Sequence, residues 1–206
     1  MPSMTRNAIV VDLNRCIGCF GCEVACKQEN DVPLGEYWNK VEIVGPMGTH
    51  PKISQYWLPT MCQQCADAPC IEVCPTGASQ RDEETGLVII DREACIGCQT
   101  CMSACPYGVR SYNATAGVVG KCVACNDLVK KGEKPACVKA CCGQARTFGD
   151  LDDPESDVSK VLAKYGEEDI HQFADTGNGP STYYILSPKY GEWQEDFPIP
   201  FADLKF

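Results

Sequence analysis

The 206-residue chain has few basic groups and very few histidines: 18 Lys plus Arg stand against 28 Asp plus Glu, for a formal net charge of −10, and only two His occur. The deficit of positive charge argues against nucleic acid as the main partner, because phosphate binding needs a basic face. Long apolar runs are missing too. The best stretches, Ala8 to Val11 and Leu87 to Ile90, are strand-sized, whereas a direct membrane span needs about 18 residues. Residues 1–8 show no charged segment followed by an apolar one, and no twin-Arg pair is present, so a soluble chain without an address label is expected. No Gly-x-Gly-x-x-Gly follows a strand-like run and no P-loop occurs, which leaves nucleotide and flavin binding without support. His50 and His171 lie far apart and away from any C-x2-C pair, which argues against Rieske or zinc roles and makes surface positions their default. Neither a nucleophile–base pair nor a substrate-shaped motif is visible, so no bond chemistry is expected of the chain alone.

What the sequence has in abundance is cysteine, 17 residues in all. A disulfide scaffold calls for an even count in a short secreted chain, and this chain fits neither condition. The cysteines instead form four groups of four with one left over. Group one is Cys16, Cys19, Cys22, Cys26; group two is Cys62, Cys65, Cys70, Cys74. Group three is Cys95, Cys98, Cys101, Cys105; group four is Cys122, Cys125, Cys137, Cys141. Groups one and three both read C-x2-C-x2-C-x3-C, the run that wraps three thiolates around one [4Fe–4S] cubane and sends the fourth to a different cluster. Zinc prefers two C-x2-C knuckles at one tetrahedral site and has no use for the third close thiolate.

The chain also repeats itself. A shift of 79 residues carries group one onto group three and Ile9-Val10-Val11-Asp12 onto Val88-Ile89-Ile90-Asp91. Group two maps onto group four by 60 residues at its first two cysteines and by 67 at its last two. A duplicated two-group unit explains the matched sets. Residues 8–11 and 87–90 read as strands entering cluster loops, with short helices following at 22–29 and 101–104. Gly18, Gly21 and Gly97 are expected to keep those loops free of Cβ where backbone approaches a cluster. Pro75 and Pro106 end the helical turns after groups two and three.

These residues resemble the four-cluster iron–sulfur electron-transfer subunits of molybdopterin oxidoreductases, the dimethyl-sulfoxide-reductase group. The matching stretches are Val11 through Lys27, Leu58 through Ala78, Cys95 through Gly108, Lys121 through Cys141, and Gly149 through Pro154. The resemblance implies an α+β fold of two duplicated ferredoxin-like double-cluster modules, with an inserted hairpin and a C-terminal extension. Residues 1–61 with 107–150 would form one module, including the insertion 27–61, and 62–106 the other. A helix, strand and docking tail would follow over 151–206. It implies four [4Fe–4S] clusters. Cluster 1 would use Cys16, Cys19, Cys22 and Cys141, and cluster 2 Cys26, Cys122, Cys125 and Cys137. Cluster 3 would use Cys62, Cys65, Cys70 and Cys105, and cluster 4 Cys74, Cys95, Cys98 and Cys101. The chain would then relay single electrons to or from a molybdopterin (Mo or W) catalytic subunit, without a catalytic residue of its own. A hydrogenase or formate-oxidising complex, or a free-standing polyferredoxin, is the alternative setting. A separate membrane anchor could supply quinol electrons, and co-export with the catalytic partner would make the complex extracytoplasmic, the alternative being cytoplasmic.

One departure stands out. Cys142 occupies a place where the family usually has Pro, and the three-residue gap from Cys137 favours Cys141 as the ligand. Cys142 is then either a buried inert thiol or a reactive, substitute ligand. Arg15, Lys27, Arg110, Lys121 and Arg146 flank the motifs as solvated surface charges or as tuners of cluster potential. Tyr37, Trp38, Tyr56 and Trp57 in the insertion either embrace a partner or cap the chain's own core. Asp153-Pro154 with Val158, Val161, Leu162, Tyr165 and Gly166 predicts a capped amphipathic helix, Tyr183 to Leu186 a strand, and Trp193 to Phe206 a partner-draping tail.

Overall fold

In the computed structural model, which describes residues 5–194, the apolar run near the N-terminus becomes the centre of the largest sheet. Strand β1 spans Asn7–Asp12. Its alternating side chains serve two cores, as the two-residue period of a strand requires. Ile9 and Val11 enter the main core, while Val10 joins Val158 and Ile185 on the other face. Helix α1 (Gly21–Asn30) carries the end of cysteine group one. Strands β2 (Asn39–Thr49) and β3 (Lys52–Met61) form the long antiparallel hairpin expected of the insertion.

The middle of the chain is built of much smaller pieces. Helix α2 (Pro69–Glu72) and strands β4 (Ser79–Arg81) and β5 (Val88–Ile90) follow group two. Helix α3 (Thr100–Ser103), then strands β6 (Arg110–Asn113) and β7 (Val118–Lys121), follow in turn. Helices α4 (Asn126–Lys130) and α5 (Ala136–Lys139) belong to group four, and β8 (Arg146–Asp150) comes next. Helix α6 (Asp157–Leu162) and strands β9 (Ile170–His171) and β10 (Tyr183–Ile185) complete the fold. The main sheet has the order β8-β1-β10-β9, with β1 antiparallel to β8 and parallel to β10. β2–β3, β4–β5 and β6–β7 are separate two-stranded ribbons.

Two expectations change. The helix after Gly149 starts at Asp157, capped by Ser156, whose side chain accepts from the Ser159 amide at 3.3 Å. Asp153-Pro154 lies in the turn before it, because Ser156 supplies the acceptor that an N-terminal turn needs. Of the insertion's aromatics, Trp38 and Tyr56 are buried in the chain's own core. Trp193 likewise packs inward, its ring 5.0 Å from His171 and 5.8 Å from Phe173. The remainder of the expected tail, from residue 195, lies outside the described residues.

Candidate metal centres

The cysteine loops are shaped by left-handed backbone at matching places. Gly18 and Gly97 have φ of +64° and +67°, and Phe20 and Gln99 have 57° and 61° just before α1 and α3. The need for glycine is steric, but the obstacle is not the one expected. A Cβ on Gly18 would sit 2.3 Å from the Trp57 indole, and one on Gly97 would sit 2.2 Å from the Gly117 carbonyl oxygen. Gly21 has no positive φ and only ordinary contacts at its Cβ position.

Three cavities open among the cysteines. The first is lined by Cys16, Cys19, Cys22 and Cys141. A second has Cys74, Cys95, Cys98 and Cys101 on its walls. A third has Cys62, Cys65, Cys70 and Cys105. Each draws three cysteines from one group and one from another. The remaining thiols, Cys26, Cys122, Cys125 and Cys137, crowd together: burial first, then the negative charge available to the other three, pushes the Cys26 thiol far above its ordinary value. Asn30 Nδ2 reaches the sulfurs of Cys26 at 3.8 Å and Cys125 at 3.7 Å.

The donor sets fit polynuclear iron–sulfur sites. None of the 17 cysteines is in a disulfide. Among the described residues no three His, Cys, Asp or Glu side chains converge closely enough to hold a single ion, as the tetrahedral site of a zinc ion would need. Burial and then neighbouring thiols push Cys65 and Cys122 up to about 12. Thiolates held this close in an apolar setting require bound cationic metal to be stable. Backbone amides already point at sulfur, Ala145 N to Cys141 at 3.2 Å, Ser79 N to Cys74 at 3.4 Å and Ala124 N to Cys122 at 3.4 Å.

The cysteine sets adjoin in series. Helix α1 carries both Cys22, beside Cys16, Cys19 and Cys141, and Cys26, beside Cys122, Cys125 and Cys137. Gln64 joins Cys122 to Val88 on the wall of the Cys62/65/70/105 cavity. Arg110 lines that cavity and the one of Cys74, Cys95, Cys98 and Cys101. Among the sixteen grouped cysteines the exposed ones fall at the two ends, Cys19 and Cys98, each near an exposed isoleucine, Ile17 at 61% and Ile96 at 65%. The junction between the inner quartets is polar and buried: Lys121 Nζ donates to the carbonyls of Val88 and Cys122, and Gln64 links Cys122 O to the Val88 amide.

Several side chains near the thiols have settings that sequence reasoning missed. Asn178, buried in the loop before β10, donates to Cys65 Sγ at 3.1 Å and to the Tyr107 hydroxyl at 2.8 Å. Asp175 shapes that loop by accepting from the amides of Gly177, Asn178 and Gly179. Only the turn-forming residues Asp175 to Gly179 signal it in the sequence, and they do not reveal its target. Arg110, Lys121 and Arg146 are buried rather than solvated, whereas Arg15 is exposed and Lys27 caps the loop at Pro33 and Glu36. Cys142 is exposed, not buried, and its thiol donates to Cys19 Sγ at 3.6 Å from outside the cavity that Cys141 lines.

Comparison with known proteins agrees with this chemistry. A 4Fe–4S dicluster domain matches residues 53–151. A Halobacterium salinarum chain named as a candidate iron–sulfur subunit of dimethyl sulfoxide reductase is 42% identical, covering 88% of this chain and 79% of its own. The arsenate respiratory reductase iron–sulfur subunit of a Shewanella species is 36% identical over 88% of this chain and 97% of its own. A sulfite dehydrogenase subunit of Allochromatium vinosum is 36% identical over 88% and 83%. The chain belongs to the iron–sulfur electron-transfer subunits of molybdopterin oxidoreductase complexes, carries [4Fe–4S] clusters and is not itself the catalytic subunit.

Proposed function

We propose that the chain is a four-cluster wire, with the quartets described above as its four ligand sets. The carrying observation is that three separate cavities are each lined by four cysteines, in the three-plus-one combination that C-x2-C-x2-C-x3-C runs call for. When bound, the clusters accept and release single electrons. The protein's part is to hold the thiolates, to point amides at sulfur and to keep water from the inner quartets. Cys19 and Cys98 at opposite ends of the series support entry at one end and exit at the other.

In this reading the groups pair as two double-cluster modules, group one with four and group two with three. Residues 1–61 with the part of 107–150 that follows β7 form the first, and 62–106 with β6 and β7 the second. Arg110 and Val119 line the cavity of Cys74, Cys95, Cys98 and Cys101, which supports counting β6 and β7 with the second module. Residues 151–206 form the C-terminal extension. The catalytic partner is a molybdopterin subunit. A separate quinol-oxidising anchor chain and co-export with the catalytic partner complete this reading; no helix among the described residues is long and apolar enough to cross a membrane.

Iron and acid-labile sulfide analysis of anaerobically purified protein tests the proposal. Four clusters give about sixteen irons per chain. A colourless zinc protein, or a loaded chain with half that iron, overturns it. Copurification with a molybdopterin-containing chain separates the complex from a free-standing polyferredoxin.

A further inference from the structure

Two arginines sit in the same local setting in the two parts of the molecule. Arg110 opens β6 five residues after Cys105, and Arg146 opens β8 five residues after Cys141. Each donates through Nη2 to a neutral group that opens another strand. Arg110 donates to Ser79 Oγ at 3.0 Å, the first residue of β4. Arg146 donates to Asn39 Oδ1 at 2.6 Å, the first residue of β2. The two residues are only 2% and 5% exposed. Arg110 Nη1 is buried without a hydrogen-bond partner, and Arg146 Nη1 meets the Met61 sulfur at 3.5 Å.

Their positions relative to the cysteines are also alike. Arg110 lines both the Cys62/65/70/105 cavity and the Cys74/95/98/101 cavity. Arg146 lines the Cys16/19/22/141 cavity, and its strand β8 follows helix α5, which carries Cys137 of the neighbouring set. A buried guanidinium hydrogen-bonded to a neutral acceptor is costly unless anions lie nearby. Here those anions are the cluster sites.

We propose that Arg110 and Arg146 are positioning cations, one within each pair of clusters, that raise the reduction potentials of the two clusters they separate; Ser79 and Asn39 orient them without neutralising them. The proposal rests on the ligand sets given above. One-electron reduction adds a single negative charge among the same four thiolates, the electron coming from the redox partner and no bond being made or broken. A fixed cation nearby favours that reduced form.

EPR-monitored potentiometric titration of the loaded full chain tests this. Arg110→Gln is expected to lower two of the four midpoint potentials, Arg146→Gln the other two, and Arg110→Lys and Arg146→Lys to return them toward the wild-type values. Asn39→Asp and Ser79→Asp keep each arginine and give it an anionic partner, so each should reproduce the downward shift in the matching pair. These variants carry the test if a Gln variant fails to assemble. Four unmoved potentials in loaded Gln or Asp variants, or an equal shift of all four, overturn the proposal. Wild-type protein with fewer than four integrated EPR signals and correspondingly low iron would instead refute the ligand sets.

Discussion

The stretch around Cys16–Cys26 and the stretch around Cys95–Cys105 use the same cysteine spacing on unequal scaffolds. The first leans on the four-stranded sheet through β1 and on the ten- and eleven-residue strands of the β2–β3 hairpin. The second has only the three- and four-residue strands of the β4–β5 and β6–β7 ribbons around it. Two-stranded ribbons of that length are marginal in water without further support. Cluster ligation therefore contributes more to holding the chain together around Cys62–Cys105. The C-terminal chain adds to it there, through Asn178 on Cys65 and Tyr107 OH on the Ala174 carbonyl at 3.1 Å.

The largest effect should come from removing one buried ligand on each side. Cys22 and Cys70 are 9% and 8% exposed, and replacing either by Ser should lose about one cluster's iron. Cys70→Ser should also expose the amides of β4 to β7 to rapid hydrogen exchange, while Cys22→Ser leaves β1, β8 and β10 protected. Equal protection in the two variants would erase the contrast.

A smaller effect is expected at the matched glycines. Gly97→Ala drives a Cβ into the Gly117 backbone, which cannot swing aside, and should cost about 3 kcal/mol. Gly18→Ala meets an indole side chain that can rotate, so about 1–2 kcal/mol is expected. Denaturant midpoints of the two loaded variants check the order.

An effect of the size expected at Gly18 belongs to the clasp between the two parts. Asp82 accepts from Asn126 Nδ2 at 2.9 Å, from the Thr85 amide at 3.1 Å, and pairs with Lys130 at 2.6 Å. Burial opposes its charge, but Lys130 and Asn126 outweigh it and hold the carboxyl well below the usual range. Asp82→Asn should cost about 1–2 kcal/mol, mostly through the buried hydrogen bonds rather than the half-exposed Lys130. A depressed carboxyl stabilises the fold above its unfolded value of about 3.9, and that contribution is lost as pH falls through the folded value. Urea unfolding should therefore show a constant penalty from about pH 5 to 8 that shrinks only on further acidification.

The least perturbing change should be Cys142→Ser. Its thiol lies outside the cavity lined by Cys141, so iron content and visible absorption should match wild type. Cys141→Ser should lose a cluster. Reversal of the pair would reassign the ligand.

The cysteine groups, the strands near residues 8–11 and 87–90, and the hairpin were legible because each depends on short-range spacing or on a two-residue period. The start of α6 falls later than the sequence suggests because two nearby residues, Pro154 and Ser156, both suit a helix start, and only the cap hydrogen bond distinguishes them. The role of Asn178 was hidden because its partner, Cys65, is 113 residues away.

Residue order alone carried the chemistry: sixteen of the 17 cysteines stand at intervals that suit cubane clusters. Tertiary packing supplied the environment of that chemistry. It buried Arg110, Lys121 and Arg146, exposed Cys142, set Trp57 against Gly18, and brought cysteines from distant groups around common cavities. Ligand spacing is a property of a few successive residues, whereas burial and electrostatic environment depend on what the rest of the chain brings alongside.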